Sequence, residues 1–130
     1  MHSGYSLIEL VIVIGFVGIV TSTIGYRSAI QYINVTHSLH AELATSQLYA
    51  MHTEAITSRQ DQTMTVSGNS LSSSIPTMGL PPIDNYSING FGKLGFTAQG
   101  TTKYSGSLLV GSRFKITLSP NMGHPTLIQL

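Results

Sequence analysis

Leu10–Ile24 reads LVIVIGFVGIVTSTI, and no residue from Leu10 through Tyr26 carries a charge. Tyr5–Ile8 extends this apolar run to about 20 residues, interrupted only by Glu9, which as a helix is enough to span a ~30 Å hydrocarbon core. An ordinary secretory signal places basic residues ahead of its apolar core. Here the first basic residue is Arg27, on the far side. A plain membrane anchor leaves Glu9 without a purpose, since an acid deep in lipid costs roughly 2.5–3.5 kcal/mol. No proline occurs before Pro76, and the glycines before Gly68 sit in or just ahead of the apolar segment and at its end, Gly25. The pattern therefore predicts one helix from about Ser6 to Thr57, a rod of roughly 75–80 Å. Such a rod is too long for a 130-residue chain to bury by itself. Its front half belongs in lipid or among other helices.

The back half carries a seam. Ile30, Ile33, His37, Ala41, Ala44, Leu48, Met51 and Ala55 recur mostly at spacings of three and four, one face of an amphipathic helix. That face is expected to pack on a sheet made by the rest of the chain. Strands are predicted over Thr63–Val66, Ser70–Ile75, Leu94–Thr97, Ser107–Val110, Arg113–Leu118 and Thr126–Leu130. Turn formers separate them at Ser67-Gly68-Asn69, Asn89-Gly90 and Gln99-Gly100, and Pro76–Pro82 reads as a loop. The expected fold class is α+β, with a long N-terminal helix, half of it transmembrane, packed on a C-terminal antiparallel sheet.

Composition narrows the chemistry. Hydrophobic residues make up 42% but charged residues only 8%, well below the roughly one quarter of ordinary domains. Six Lys+Arg against five Asp+Glu give a formal charge of +1, which is no broad footprint for nucleic acid. Cysteine is absent, so disulfide scaffolds, thiolate zinc sites and cysteine nucleophiles are excluded. The five acids form no close pair suited to acid–base work, and no G-x-S-x-G elbow occurs. No enzyme activity, metal or cofactor is expected. His37 and His40 lie three apart on the helix and His52 further along, but ligation needs a third or fourth convergent group. Gly90-Phe91-Gly92-Lys93-Leu94-Gly95 fits G-x-G-x-x-G. A dinucleotide site needs a helix directly after it and an acid about 20 residues on, and this sequence offers neither.

Gly4-Tyr5-Ser6-Leu7-Ile8-Glu9-Leu10, followed by the apolar helix, resembles the leader junction of type IV pilins and pseudopilins. The resemblance implies cleavage by a prepilin peptidase between Gly4 and Tyr5, N-methylation of Tyr5, and Glu9 as the fifth mature residue. In that family this acid serves filament assembly, attracting the new N-terminal amine of a neighbouring subunit. Two departures are visible: Tyr5 stands where the family usually has Phe, and the leader Met1–Gly4 lacks Lys and Arg. The glycines Gly15, Gly18 and Gly25 suit close helix packing, and the family likeness adds local melting near Gly18 on assembly. The proline common in major pilins is missing, with Tyr26 in that region.

Further along, Ala41–Arg59 with Leu48, Ala50 and Glu54-Ala55-Ile56 resembles the helix end of GspH/FimT-type minor pilins. Leu94–Gly100 and Ser105–Leu108 are similar to a hairpin of the same group, and equally to Gram-positive competence pseudopilins of the ComGD type. The stretch Pro76–Asn89 matches nothing in that pattern. The resemblance implies four segments: a leader (1–4), a transmembrane and filament-core helix (5–26), an amphipathic helix half (27–59) and an extracytoplasmic β-rich domain (60–130). It implies a minor pilin or pseudopilin of the cytoplasmic membrane, serving pilus assembly or DNA uptake. The alternatives are a type II secretion pseudopilus subunit and an anchored binding module that never polymerises. Expected partners are other pilin subunits, the peptidase, the inner-membrane assembly platform and the membrane. DNA is a further candidate, because residues 85–130 hold Lys93, Lys103, Arg113 and Lys115 and no acid. Alternation in Arg113–Leu118 buries Phe114, Ile116 and Leu118 and leaves Arg113 and Lys115 on the outer face. Some FimT-like minor pilins bind DNA through a basic tail, but Gly123–Leu130 contains no Arg.

Overall fold

A computed structural model describes residues 6–75, 79–80, 86–121 and 123–130. Helix α1 spans Leu7–Ser58 and is followed by β1 (Gln62–Ser67), β2 (Ser70–Ser73), β3 (Gly79–Leu80), β4 (Tyr86–Phe96), β5 (Thr102–Val110), β6 (Phe114–Leu118) and β7 (Pro125–Gln129). The strands form one antiparallel sheet in the order β3-β2-β1-β4-β5-β6-β7. The chain divides into two compact units, one ending at Val35 and the other spanning Thr36–Leu130.

In the first unit every described side chain through Ile33 is exposed, apolar or not. The three hydroxyls at the end of the apolar stretch are turned back onto the helix. Thr21 Oγ1 donates to the Val17 carbonyl (2.6 Å), Ser22 Oγ to Gly18 (2.7 Å) and Thr23 Oγ1 to Ile19 (2.9 Å). This one-turn-back bonding satisfies a hydroxyl without a partner outside the helix. The helix is long and apolar enough to cross a membrane.

In the second unit α1 packs on the sheet through His40, Ala41, Ala44, Leu48, Met51 and Ala55. Three alanines on this face bring the helix axis close, and Leu48 and Met51 fill the space left between them. Met64, Leu71, Tyr86, Leu94, Phe96, Leu108, Val110, Ile116 and Leu118 supply the sheet side of the core. Each fully buried Leu, Met or Phe contributes roughly 1.5–3 kcal/mol. The seam starts later than the periodicity suggests. Ile30 and Ile33 are 37% and 51% exposed, and the first buried residue of α1 is His40. Loop glycines lie close against the helix in the second unit: a Cβ on Gly111 would collide with the His37 ring, and one on Gly100 with Ile56 and His52. The helix ends at Arg59, which adopts the left-handed conformation (φ 54°) usually given to glycine.

The hairpin at Gly68-Asn69 forms as expected, with Gly68 at φ 61° in the first loop position. β4 does not follow expectation. Asn89-Gly90 is not a turn but lies inside an 11-residue strand. Gly90 pairs with Gly106 and Gly95 with Tyr104, so residues 91–94 of β4 oppose Ser105 alone. The excess is taken up by Gly90 (φ 111°) and Gly92 (φ 70°), while Lys93 and Leu94 pair with β1 instead. Glycine here bends a strand without ending it. β5 likewise begins at Thr102, ahead of the expected Ser107, and runs through Gly106. Most of the Pro76–Pro82 loop lies outside the described residues, and Gly79–Leu80 within it forms β3.

Gly111 combines a left-handed φ of 61° with the His37 ring in the space a side chain would need. Gly68 has the same φ of 61° and open space around it. Gly68→Ala should therefore cost only the conformational strain, about 1–2 kcal/mol. Gly111→Ala should exceed it by at least ~1 kcal/mol, the cost of overpacking. Denaturant unfolding of the full chain in detergent, followed by circular dichroism, measures the difference.

Candidate functional site

The first candidate site is the start of α1. Gly4 and Tyr5 lie outside the described residues. Ser6 precedes the helix and Glu9 stands three residues on, exposed, in its first turn. The Ser6 backbone N–H donates to Glu9 Oε2 (3.4 Å), and the Leu10 N–H donates to the Ser6 carbonyl (3.2 Å). This is one half of a capping box, in which an acid at the third helical position reaches back to the residue before the helix. A carboxylate there also complements the positive end of the helix dipole. Glu9 thus has a local task beside the one implied by the pilin likeness. The signal, Ser-x-x-Glu ahead of an apolar run, is plain in the sequence once helix capping is considered.

The four basic residues proposed for DNA contact fall into two pairs. Lys93 Nζ lies 4.1 Å from the centroid of the Tyr104 ring, and Lys103 Nζ lies 5.6 Å from it. Phe91, 71% exposed at the β4 irregularity, stands beside the same ring at 6.3 Å between centroids. Lys103 is ion-paired with Asp61. Asp61 also accepts the Ala98 N–H through Oδ1 (2.9 Å). The Lys103 hydrogen bond, and after it the Ala98 bond, hold the Asp61 carboxyl below its ordinary range; Asp61 in turn raises Lys103. The local excess of positive charge expected from residues 85–130 is therefore reduced, because the fold brings in an acid from the end of α1. Arg113 and Lys115 lie elsewhere. Lys115 pairs between Leu109 and Ile128. Leu109 is five residues from Tyr104 along β5, about 16 Å at strand spacing. Around them Ile116 and Leu118 are buried and Phe114 is half-buried, the alternation read from the sequence.

Each of the three helix histidines has a packing role. His37 lies against Gly111. His40 is buried, its Nδ1 2.8 Å from the Tyr86 hydroxyl. His52 Nε2 bonds the Gly100 carbonyl (2.9 Å), and its ring meets Phe96 edge-on at 5.0 Å. Among the described residues no group of three or more His, Asp or Glu could hold a metal ion. The G-x-G-x-x-G stretch is part of β4 and leads into a turn and β5, so it opens no helix. Sequence reading missed the Asp61–Lys103 and His40–Tyr86 pairs. Their partners are 42 and 46 residues apart, and no local pattern announces them.

No protein-family model, curated protein or solved structure matches this chain. What stands is an α+β chain whose one N-terminal helix is apolar enough to span a membrane.

The capping role of Glu9 is open to direct measurement. Glu9→Ala should raise amide exchange over residues 7–10 by a few-fold, the scale of a lost cap of about 1 kcal/mol. Glu9→Gln, which keeps an acceptor oxygen, should leave exchange there within about twofold of the native chain. Exchange mass spectrometry in detergent micelles reads both.

Proposed function

We propose that this chain is a pilin-like subunit: a membrane-anchored precursor, cut after Gly4, that enters a type IV pilus-like filament through its apolar helix. The observation that carries the reading is the helix surface over Leu10–Tyr26. It is wholly exposed, bears no charge and is preceded by a single carboxylate, Glu9. In water so long an apolar surface would drive aggregation. A bilayer suits it, and so does a bundle of equivalent helices. In the precursor the second unit stands outside the cytoplasm. After cleavage the amine of Tyr5 is the cation that a neighbour's Glu9 meets, in surroundings where charge attraction is far stronger than in water. The partners are then kindred subunits, a prepilin peptidase and an inner-membrane platform. Pilus assembly, DNA uptake and type II secretion all use such filaments. Direct DNA contact is not part of the proposal, since Lys103 is paired with Asp61 and Lys115 lies about 16 Å along the sheet from the Tyr104 ring that Lys93 covers.

A second reading is supported by the second unit, which holds a core of its own: an anchored binding module that never polymerises. One variant separates the two. Glu9→Gln preserves the cap but removes the charge. In cells that make the filament and its peptidase, it should insert normally yet reach the filament at least about tenfold less than the native chain, the equivalent of roughly 1.4 kcal/mol. Quantitative immunoblotting of sheared filaments measures this. Equal incorporation of both chains rules out the charge-pairing mechanism. Full-length chains still carrying Met1–Gly4 in those cells, read by intact mass, rule out the processing step and favour the anchor.

A further inference from the structure

We propose that His40, Tyr86 and His37 form an acid-released latch, which holds the first turns of α1 in the second unit against the sheet at neutral pH and lets them go on acidification. The geometry is specific. His40 is 6% exposed and so is Tyr86. Their side chains meet at the start of the helix–sheet seam, beside the apolar core residues Ala41 and Ala44. The Tyr86 hydroxyl, whose pKa burial pushes up to about 12, keeps its proton throughout the accessible range and lies 2.8 Å from His40 Nδ1. With a neutral imidazole either group can donate in this bond, according to the tautomer. A charged imidazole can only donate, so the hydroxyl must then accept and turn its own proton away from the ring, in a place where both side chains are buried.

His37 completes the device. It lies one turn before His40 on the same face and is pressed against Gly111 in the β5–β6 turn. Two imidazolium rings at this spacing repel. Among the described residues, the titratable groups facing His40 are His37 from its own helix and Tyr86 from β4; the β5–β6 turn presents Gly111. Glu42, two positions on, points away from the seam and is exposed. No described carboxylate stands by to compensate a second charge. Burial, and after it His37, hold the His40 imidazole below its ordinary 6.5. The undocked helix therefore binds the proton more readily than the docked one. By linkage, docking is fully present above 6.5 and is lost as pH falls below that value toward the folded pKa. Further along, Leu48, Met51 and Ala55 are apolar and fully buried, and His52 donates to the Gly100 carbonyl, a bond that an added proton leaves in place, so release stops there. The latch belongs to the second unit and stands whether or not the chain enters a filament.

Amide exchange of the full chain in detergent micelles tests it, compared at pH 7.5 and pH 5.0 after correction for intrinsic exchange rates. Residues 36–44 should lose at least about tenfold protection at the lower pH, while residues 94–118 keep theirs. His40→Asn, which offers a non-titrating acceptor near the Nδ1 position, should abolish the difference. Unchanged protection of 36–44 in the native chain overturns the proposal, as does a persisting difference in a folded His40→Asn chain. Should His40→Asn lose protection over 94–118 at both pH values, the native chain decides. The His40 ring, followed by its carbon-13 shift, must titrate at the same pH at which 36–44 open. Opening while His40 is still neutral overturns the latch.

Discussion

α1 is a single helix that must satisfy two surroundings. From Leu7 to Val35 its side chains are almost all exposed, and from His40 to Ala55 one face is sealed against a sheet. The backbone is identical in both halves, so the difference lies in the side chains alone. The front half has apolar residues all round and hydroxyls folded back onto its own carbonyls. A helix apolar on every side belongs in hydrocarbon or inside a bundle. The back half confines its apolar residues to one stripe and narrows that stripe with alanine. A sheet of short strands can then cover it. Each unit's solvent follows from this division.

The sheet solves a different problem, that of a chain with few charges. Its outer face carries a row in register across four strands, Asn89–Ser107–Thr117–Thr126. Hydroxyls and an amide supply the solubility that Lys and Glu give elsewhere, and Thr favours the extended backbone as well. The free edge at β7 is managed by proline and by the helix. Leu130 N–H donates to the Arg113 carbonyl (2.6 Å). Counting back along an antiparallel ladder, Ile128 and Thr126 also face β6, while Pro125, Leu127 and Gln129 face outward. The N–H that Pro125 lacks would have pointed away from β6, so proline costs the ladder nothing there. Its carbonyl is met by the Tyr49 hydroxyl from α1 at 3.5 Å.

Much of this was legible because it is periodic. The helix, its apolar front, the alanine stripe from Ala41 onward and the alternation in β6 all follow from spacing alone. The failures share one cause, a local signal overruled by a distant partner. Ile30 and Ile33 fit the stripe, but both are exposed. Asn89-Gly90 has the composition of a hairpin turn, yet β5 pairs with it and β1 with the residues that follow, which leaves glycine to absorb the misfit. Lys103 reads as a free cation only if Asp61 is counted with the helix and not with the turn it joins. His37 was read onto the stripe, whereas the buried histidine is His40, and its hydroxyl partner had no local signal. The cap at Ser6 and Glu9 was missed for the opposite reason: a purely local signal was hidden behind a longer motif containing the same acid.

That overlap bears on what Glu9 can be asked to explain. An acid in the first turn of a helix is favoured in any solvent, because it faces unpaired N–H groups and the positive end of the dipole. Within a membrane the same arrangement offsets part of the cost of carrying the charge into hydrocarbon. The presence of Glu9 is therefore compatible with a simple anchor as well as with a filament. The charge differs from the cap in one respect. A cap needs an acceptor oxygen and is content with an amide, whereas attraction to a neighbour's amine needs the full negative charge in a medium that does not screen it. The helix surface around Glu9 provides such a medium only when other apolar helices or lipid enclose it. The functional weight thus rests less on the acid itself than on the uncharged, uncovered surface from Leu10 to Tyr26, which sets the dielectric in which that acid acts.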